Sequence, residues 1–316
     1  MIEDDKLNRD GTADDVYTGE GLEGDSSKWV QIFQFVLIPL GIVMIMVILF
    51  IGLNWLFSDT QSINELVTSD LKSRSPVRRG IAAMRLKDKL LADDKLREDK
   101  ALLKEVIDAF KSEQDIDTKK LLAVIFRVFM SEDAVPVLVD TLNDEKVDSR
   151  VKIECIGALG AINSKTAVPT LIRILDDADS GIRSSAAITL GYLQDASAIE
   201  PLKTKLKDGQ EDVRWNSALA LAKFKDNSCR EMLYKMLDRQ YVSTISKEDY
   251  LIEYTIGNAI SAVYILLKGR SKTPTTAEQN SVKDNDFIDR ITSLSKNDSS
   301  LKVRGLAISA LKELTE

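Results

Sequence analysis

Three acidic residues each precede an arginine by six positions: Asp177 and Arg183, Asp208 and Arg214, Asp298 and Arg304. A carboxylate and a guanidinium at a fixed spacing could form a ladder that binds a ligand. They could equally tie one structural unit to the next and cap helices. Recurrence from unit to unit favours the structural role, since a feature shared by all units serves the repeat. Other chemistry is sparse. The chain has no histidine, which removes the commonest general base and metal ligand. Cys155 and Cys229 stand alone and have no zinc-site spacing. Gly19-Glu20-Gly21 follows no strand, so no phosphate-cradling loop is expected. These residues predict no enzyme, no cofactor and no metal site.

The elements that would position the charged pairs come from a 31-residue period. Leu171, Leu175, Asp177, Arg183, Leu190 and Asp195 recur as Leu202, Leu206, Asp208, Arg214, Leu221 and Asp226. Such a period marks a solenoid, whose units bury their apolar faces only against neighbours. Within one unit, Val168, Leu171, Ile172 and Leu175 form one helical stripe, and Pro169 suits a first turn. A polar turn, DDADSG, separates them from a second stripe of Ile182, Ala186, Ala187, Leu190 and Leu193. The basic residue opening the second helix recurs as Lys152, Arg183 and Arg214, then as Arg304, and early as Arg79. In the sixth unit Glu253 takes this place.

These residues resemble the HEAT-like repeats of the short bacterial type found in bilin-lyase-related proteins. The elements are Ala167-Val168-Pro169, Leu175-Asp176-Asp177, Ile182-Arg183, Ala186-Ala187 and Leu190-Gly191, echoed by Ala134-Val135-Pro136, Val213-Arg214 and Leu159-Gly160. The resemblance covers residues 63–314, strongest in the middle. It implies an α-solenoid with a protein-binding role, not lyase activity, because fold alone does not give function. In proteins of this kind the second helices line the concave surface. That makes Arg183, Tyr192, Arg214, Trp215 and Lys223 the candidate protein-binding residues. Trp215 replaces Ser184 and Ile153, so the template does not require it. It suits either a binding hot spot or packing against a neighbouring unit.

The expected architecture is all-α: about seven HEAT-like helix pairs at 63–314, preceded by a single transmembrane helix at 29–57 and a disordered acidic tail at 1–28. The tail holds nine acidic residues against three basic ones, six of the chain's seven excess negative charges. Without that excess elsewhere the rest is nearly neutral, and nucleic-acid binding is not expected. Trp29 to Ser58 contains no charged residue, enough to cross a ~30 Å hydrocarbon layer with Trp29 and Trp55 at its ends. Lys72, Arg74, Arg78 and Arg79 follow it, against Lys28 before it. This bias puts the solenoid in the cytoplasm of a bacterial inner-membrane protein with the N-terminus outside.

The last unit, Phe287 to Leu314, is expected to cap the stack with Lys296, Asp298, Lys302, Lys312 and Glu313, after a mobile loop from Gly269 to Asp286. The functional expectation is a membrane-anchored scaffold or adaptor for a protein partner, such as an accessory subunit of a membrane complex. The alternatives are a bilin-lyase-like or enzyme-associated chaperone, or an envelope-facing assembly factor of reversed orientation.

Overall fold

The computed structural model describes residues 37–57, 62–268 and 282–315. The acidic tail, the start of the apolar segment and residues 269–281 lie outside the described residues. The chain divides into one unit ending at Gln61 and another running from Ser62 to Glu316. In the first, α1 (Ile38–Phe57) is 20 residues without a charge. Its aliphatic side chains from Leu40 to Ile51 are largely exposed.

The second unit is a serial stack of helix pairs, and the described residues contain no strand. The first pair joins α2 (Ile63–Glu65) and a π turn, Leu66–Asp70, to α3 (Pro76–Ala92). After the short α4 (Asp94–Arg97) come α5 (Lys100–Ser112) with α6 (Ile116–Phe129), then α7 (Val135–Asn143) with α8 (Ser149–Ile162). Next are α9 (Val168–Arg173) with α10 (Ser180–Leu193), and α11 (Ile199–Lys205) with α12 (Glu211–Lys223). The sixth unit has three helices, α13 (Arg230–Met236), α14 (Arg239–Ile245) and α15 (Asp249–Leu267). The seventh pairs α16 (Asp284–Asn297) with α17 (Leu301–Thr315). Its first helix starts inside the stretch expected to be a loop.

The local reasons repeat with the units. Second helices are started by Ser75, Asp115, Asp148 and Asp179, whose side chains accept from backbone amides of the first turn. Four second helices, α6, α8, α10 and α12, are followed by one residue with left-handed backbone: Met130, Asn163, Gln194 and Lys225. That residue turns the chain back while satisfying the last carbonyls. Four first helices open with a 3-10 turn ending at Ala134, Ala167, Ala198 or Cys229, each fully buried. Cys229 therefore fills a place that elsewhere takes alanine. Cys155 likewise matches Ala186 and Ser217, one and two periods on, and all three are buried.

One apolar core runs from Leu66 to Ala307, through every unit. In the second unit Phe110 meets Phe126 edge to face at 5.3 Å. The closest approach is at Gly191, where an added Cβ would lie 2.8 Å from the Cα and Cβ of Ala220. Only glycine lets α10 and α12 come so near. Helix α15 is long and apolar enough to cross a membrane, but half of it is buried. It packs on α12, α13, α14 and α17 as a core helix. Where the chain resumes at Val282, the buried Arg230 donates to the Val282 carbonyl, pairs with Asp284 and stacks 5.0 Å from the Phe287 ring.

The terminal unit exposes Lys296, Lys302, Lys312 and Glu313, four of the five charges expected to cap the stack. Asp298 points inward to Arg239, while Leu301 and Ile308 are exposed on α17. Nothing lies near a Cβ placed on Gly305.

Candidate protein-binding surface

The recurring arginines form joints between units. Arg183 donates through Nη1 to the carbonyls of Asp177 at 2.9 Å and Ala178 at 3.0 Å. Its Nε and Nη2 grip both carboxylate oxygens of Asp208 in the next unit, at 3.0 and 2.9 Å. Arg79 does the same, donating to the Ser73 carbonyl at 2.9 Å and holding Glu113 at 2.6 and 2.7 Å. Arg239 holds Asp298 at 2.9 and 2.7 Å. Glu113, Asp208 and Asp298 each stand six positions before their own unit's basic residue. Each also accepts from a backbone amide of its turn, Asp115, Gln210 or Ser300. These carboxylates are used up structurally, so the ladder is a tie and not a ligand site.

The electrostatics follow from these contacts. The Arg183 hydrogen bond holds the Asp208 carboxyl below its ordinary range, outweighing burial. At Glu113 burial pushes the pKa up, but Arg79 and two backbone amides pull it below normal. Burial pushes the Cys155 thiol up to about 12, an inert thiol.

The ladder breaks between units five and six. One period after Asp208 stands Arg239, so unit six offers Arg214 no carboxylate at that position. Arg214 turns instead to Glu211 in its own helix and to the Asp208 carbonyl. Tyr241, on the inserted α14, donates its hydroxyl to Glu211. Burial alone would raise the Glu211 carboxyl, yet Tyr241 and Arg214 hold it low. Around this junction lies a cavity of ≈ 500 Å³ whose lining includes Leu206, Tyr234 and Arg290.

Of the five candidate residues, the structure brings two together on the surface. Tyr192 is 62% exposed, and Lys223 from the next unit places its Nζ 4.1 Å from the Tyr192 ring centre. Ile188, one turn earlier on α10, is also exposed. Arg183 and Arg214 are occupied as described. Trp215 is 8% exposed and belongs to the core, so it fills the packing role and offers no accessible contact. Its buried indole N–H lies outside good hydrogen-bond geometry but faces the Tyr241 hydroxyl, which donates to Glu211 and keeps its oxygen open to accept.

Sequence reasoning missed Glu113, Arg230 and Arg239, and offered Tyr241 only as a candidate contact in an inserted segment. Two of the missed residues left a signal: Glu113 stands six positions before Lys119, and an acidic residue is missing one period after Asp208, where Arg239 stands.

Among the described residues no group of three or more acidic or cysteine side chains is placed to hold a metal ion.

A family model described as HEAT repeats matches residues 103–191 and 172–246. The phycocyanin lyase complex of CpcE and CpcF from Nostoc sp. is similar in structure at a TM-score of 0.51 and 17% identity, over 82% of this chain and 96% of that chain. An archaeal HEAT-like repeat protein from Thermococcus onnurineus gives a TM-score of 0.48 and 14% identity, over 82% and 98%. No curated protein matches the chain in sequence. The stack of helix pairs is a HEAT-like α-solenoid.

Proposed function

We propose that the chain is a membrane-anchored scaffold or adaptor, with α1 in the bilayer and the solenoid holding a protein partner. The observation that carries this reading is the exposed Tyr192 with Lys223 over its ring, continued by Ile188. An aromatic anchor, a cation and an aliphatic contact on a rigid helix are what binding hot spots are made of. Twenty uncharged residues in α1 support the anchor, since a helix of that length spans ~30 Å. The basic residues Lys72, Arg74, Arg78 and Arg79 that follow favour a cytoplasmic solenoid at a bacterial inner membrane, with the N-terminus outside.

A photo-crosslinking residue in place of Tyr192, in native membranes, tests this. One defined protein band at position 192, absent when the crosslinker replaces the exposed Glu231 on α13, is the expected result. The same pattern at both positions, or no product at 192, would overturn it. A chromophore retained by the purified protein would favour a lyase-like reading instead. Protease access to the solenoid in spheroplasts would mark the reversed orientation.

A further inference from the structure

Helix α3 carries an apolar stripe that nothing in the described chain covers. Val77, Ile81 and Met84 follow one another at spacings of four and three, on one helical face. They are 72%, 48% and 50% exposed. In units four and five the preceding second helix meets part of the corresponding face, at Gly181 and Asn216, the counterparts of Val77 and Ile81, while Ile188, the counterpart of Met84, is exposed. A Cβ on Gly181 would meet Ile153 at 3.2 Å, Asn216 donates to Ser184 at 2.7 Å, and Ala220 backs onto Gly191.

The surrounding charge is of one sign. Residues 71–87 contain six basic side chains and no acidic one. Arg79 is bound to Glu113, Lys72 to Glu105 and Lys87 to Asp88. Arg74 and Arg78 are exposed beside Val77, and Arg85, which also makes a contact of its own, is exposed beside Met84. Asp88, next on the face, closes the stripe.

Another repeat does not suit this face. Six positions past the basic residue, units two to seven place Ile125, Ala158, Thr189, Ala220, Ala259 and Ala310. Thr189 and Ala220 are the ones seen in direct contact with the preceding unit. Unit one places Arg85 there, and a guanidinium holds a neighbouring helix off. An aliphatic stripe rimmed by arginines is instead the pattern of a helix lying in a bilayer interface.

We infer that α3 docks against an anionic lipid surface, with Val77, Ile81 and Met84 at the acyl boundary and Arg74, Arg78 and Arg85 on the phosphates. This rests on the anchor reading, in which α1 holds the chain at a bilayer. The contact gives the solenoid a fixed edge at the membrane and leaves the Tyr192 rail on a later unit for the partner.

The test uses the full-length protein in liposomes with an environment-sensitive thiol probe on Met84→Cys. Cys155 and Cys229 are buried and do not compete. The expected result is a blue-shifted probe, quenched several-fold more by lipid-borne spin labels in phosphatidylglycerol bilayers than in phosphatidylcholine. The same probe on the exposed Tyr254→Cys stays water-like. Combining Met84→Cys with Arg74→Gln, Arg78→Gln and Arg85→Gln should abolish the lipid preference. A Met84→Cys probe as water-exposed as the Tyr254→Cys probe in both lipids overturns the proposal. A shift that follows protein density and ignores the lipid quencher assigns the face to a second copy, and also overturns it. Alkaline carbonate extraction reads the anchor separately. Protein released by carbonate yet quenched at position 84 keeps the docking and removes the anchor, whereas protein retained but unquenched does the reverse.

Discussion

Arg183 and Asp208, 25 residues apart, form a two-pronged ion pair that ties the fourth helix pair to the fifth. Both side chains are mostly buried, and the guanidinium also satisfies two carbonyls of its own turn. Removing the cation leaves a carboxylate without its main partner. Arg183→Ala is expected to lower unfolding stability by about 2 to 3 kcal/mol, the range for hydrogen bonds to charged groups. The double variant with Asp208→Ala should lose less than the sum of the singles, by about 1 kcal/mol. Denaturant titration of the four proteins checks this.

The same joint sets an acid dependence. Asp208 and Glu113 have folded pKa values below their unfolded ones, through Arg183 for Asp208 and through Arg79 and backbone amides against burial for Glu113. Their stabilisation is therefore complete above the unfolded values of about 3.9 and 4.3 and is lost as pH falls through the lower folded values. Thermal melts across this window should show the wild type losing stability. The deficit of Arg183→Ala should shrink as the pH drops.

Gly191→Ala should force α10 and α12 apart, since the new Cβ would meet Ala220 at 2.8 Å. A loss of about 1 to 3 kcal/mol is expected from such overpacking. Ala220→Gly should restore only part, because the Ala220 Cα is itself that close. Full rescue would mean the backbones are further apart than described.

Two aromatic residues on adjacent second helices should behave oppositely. Trp215→Ala removes a buried ring and should cost about 3 to 5 kcal/mol. Tyr192→Ala should stay within about 0.5 kcal/mol of wild type yet lose its share of partner binding. Chemical denaturation and binding measured on the same preparations separate the two.

Cys155 should resist alkylation at mildly alkaline pH in the native state, because it is buried and its pKa is pushed up to about 12. Mass shifts after iodoacetamide treatment, with and without denaturant, report this. Rapid native labelling would contradict the assigned core.

Much of this was readable in the residues because the period is carried by side chains with strong demands. Leu171 and Leu202 are core positions in the structure, as are Leu190 and Leu221. At two of the basic positions that open second helices, Arg79 and Arg183, the joints form. What could not be read is which carboxylate an arginine reaches. The pairing of Arg79 with Glu113 crosses from one unit to the next, and sequence spacing within a unit does not specify it. Trp215 was ambiguous for a related reason. Its burial depends on the neighbouring helices, while Tyr192 on the preceding second helix is exposed. The sixth unit was opaque because α14 is inserted and Arg239 takes over the task that Glu253, by position, could not perform.

Serial stacking through these joints is tested most directly by amide hydrogen exchange on full-length Arg183→Ala protein in nanodiscs. Faster exchange in α10 and α12, with α3 and α15 to α17 at wild-type rates, is the result expected of a stack whose units touch only their neighbours. Acceleration spread evenly from α3 to α17 would contradict it.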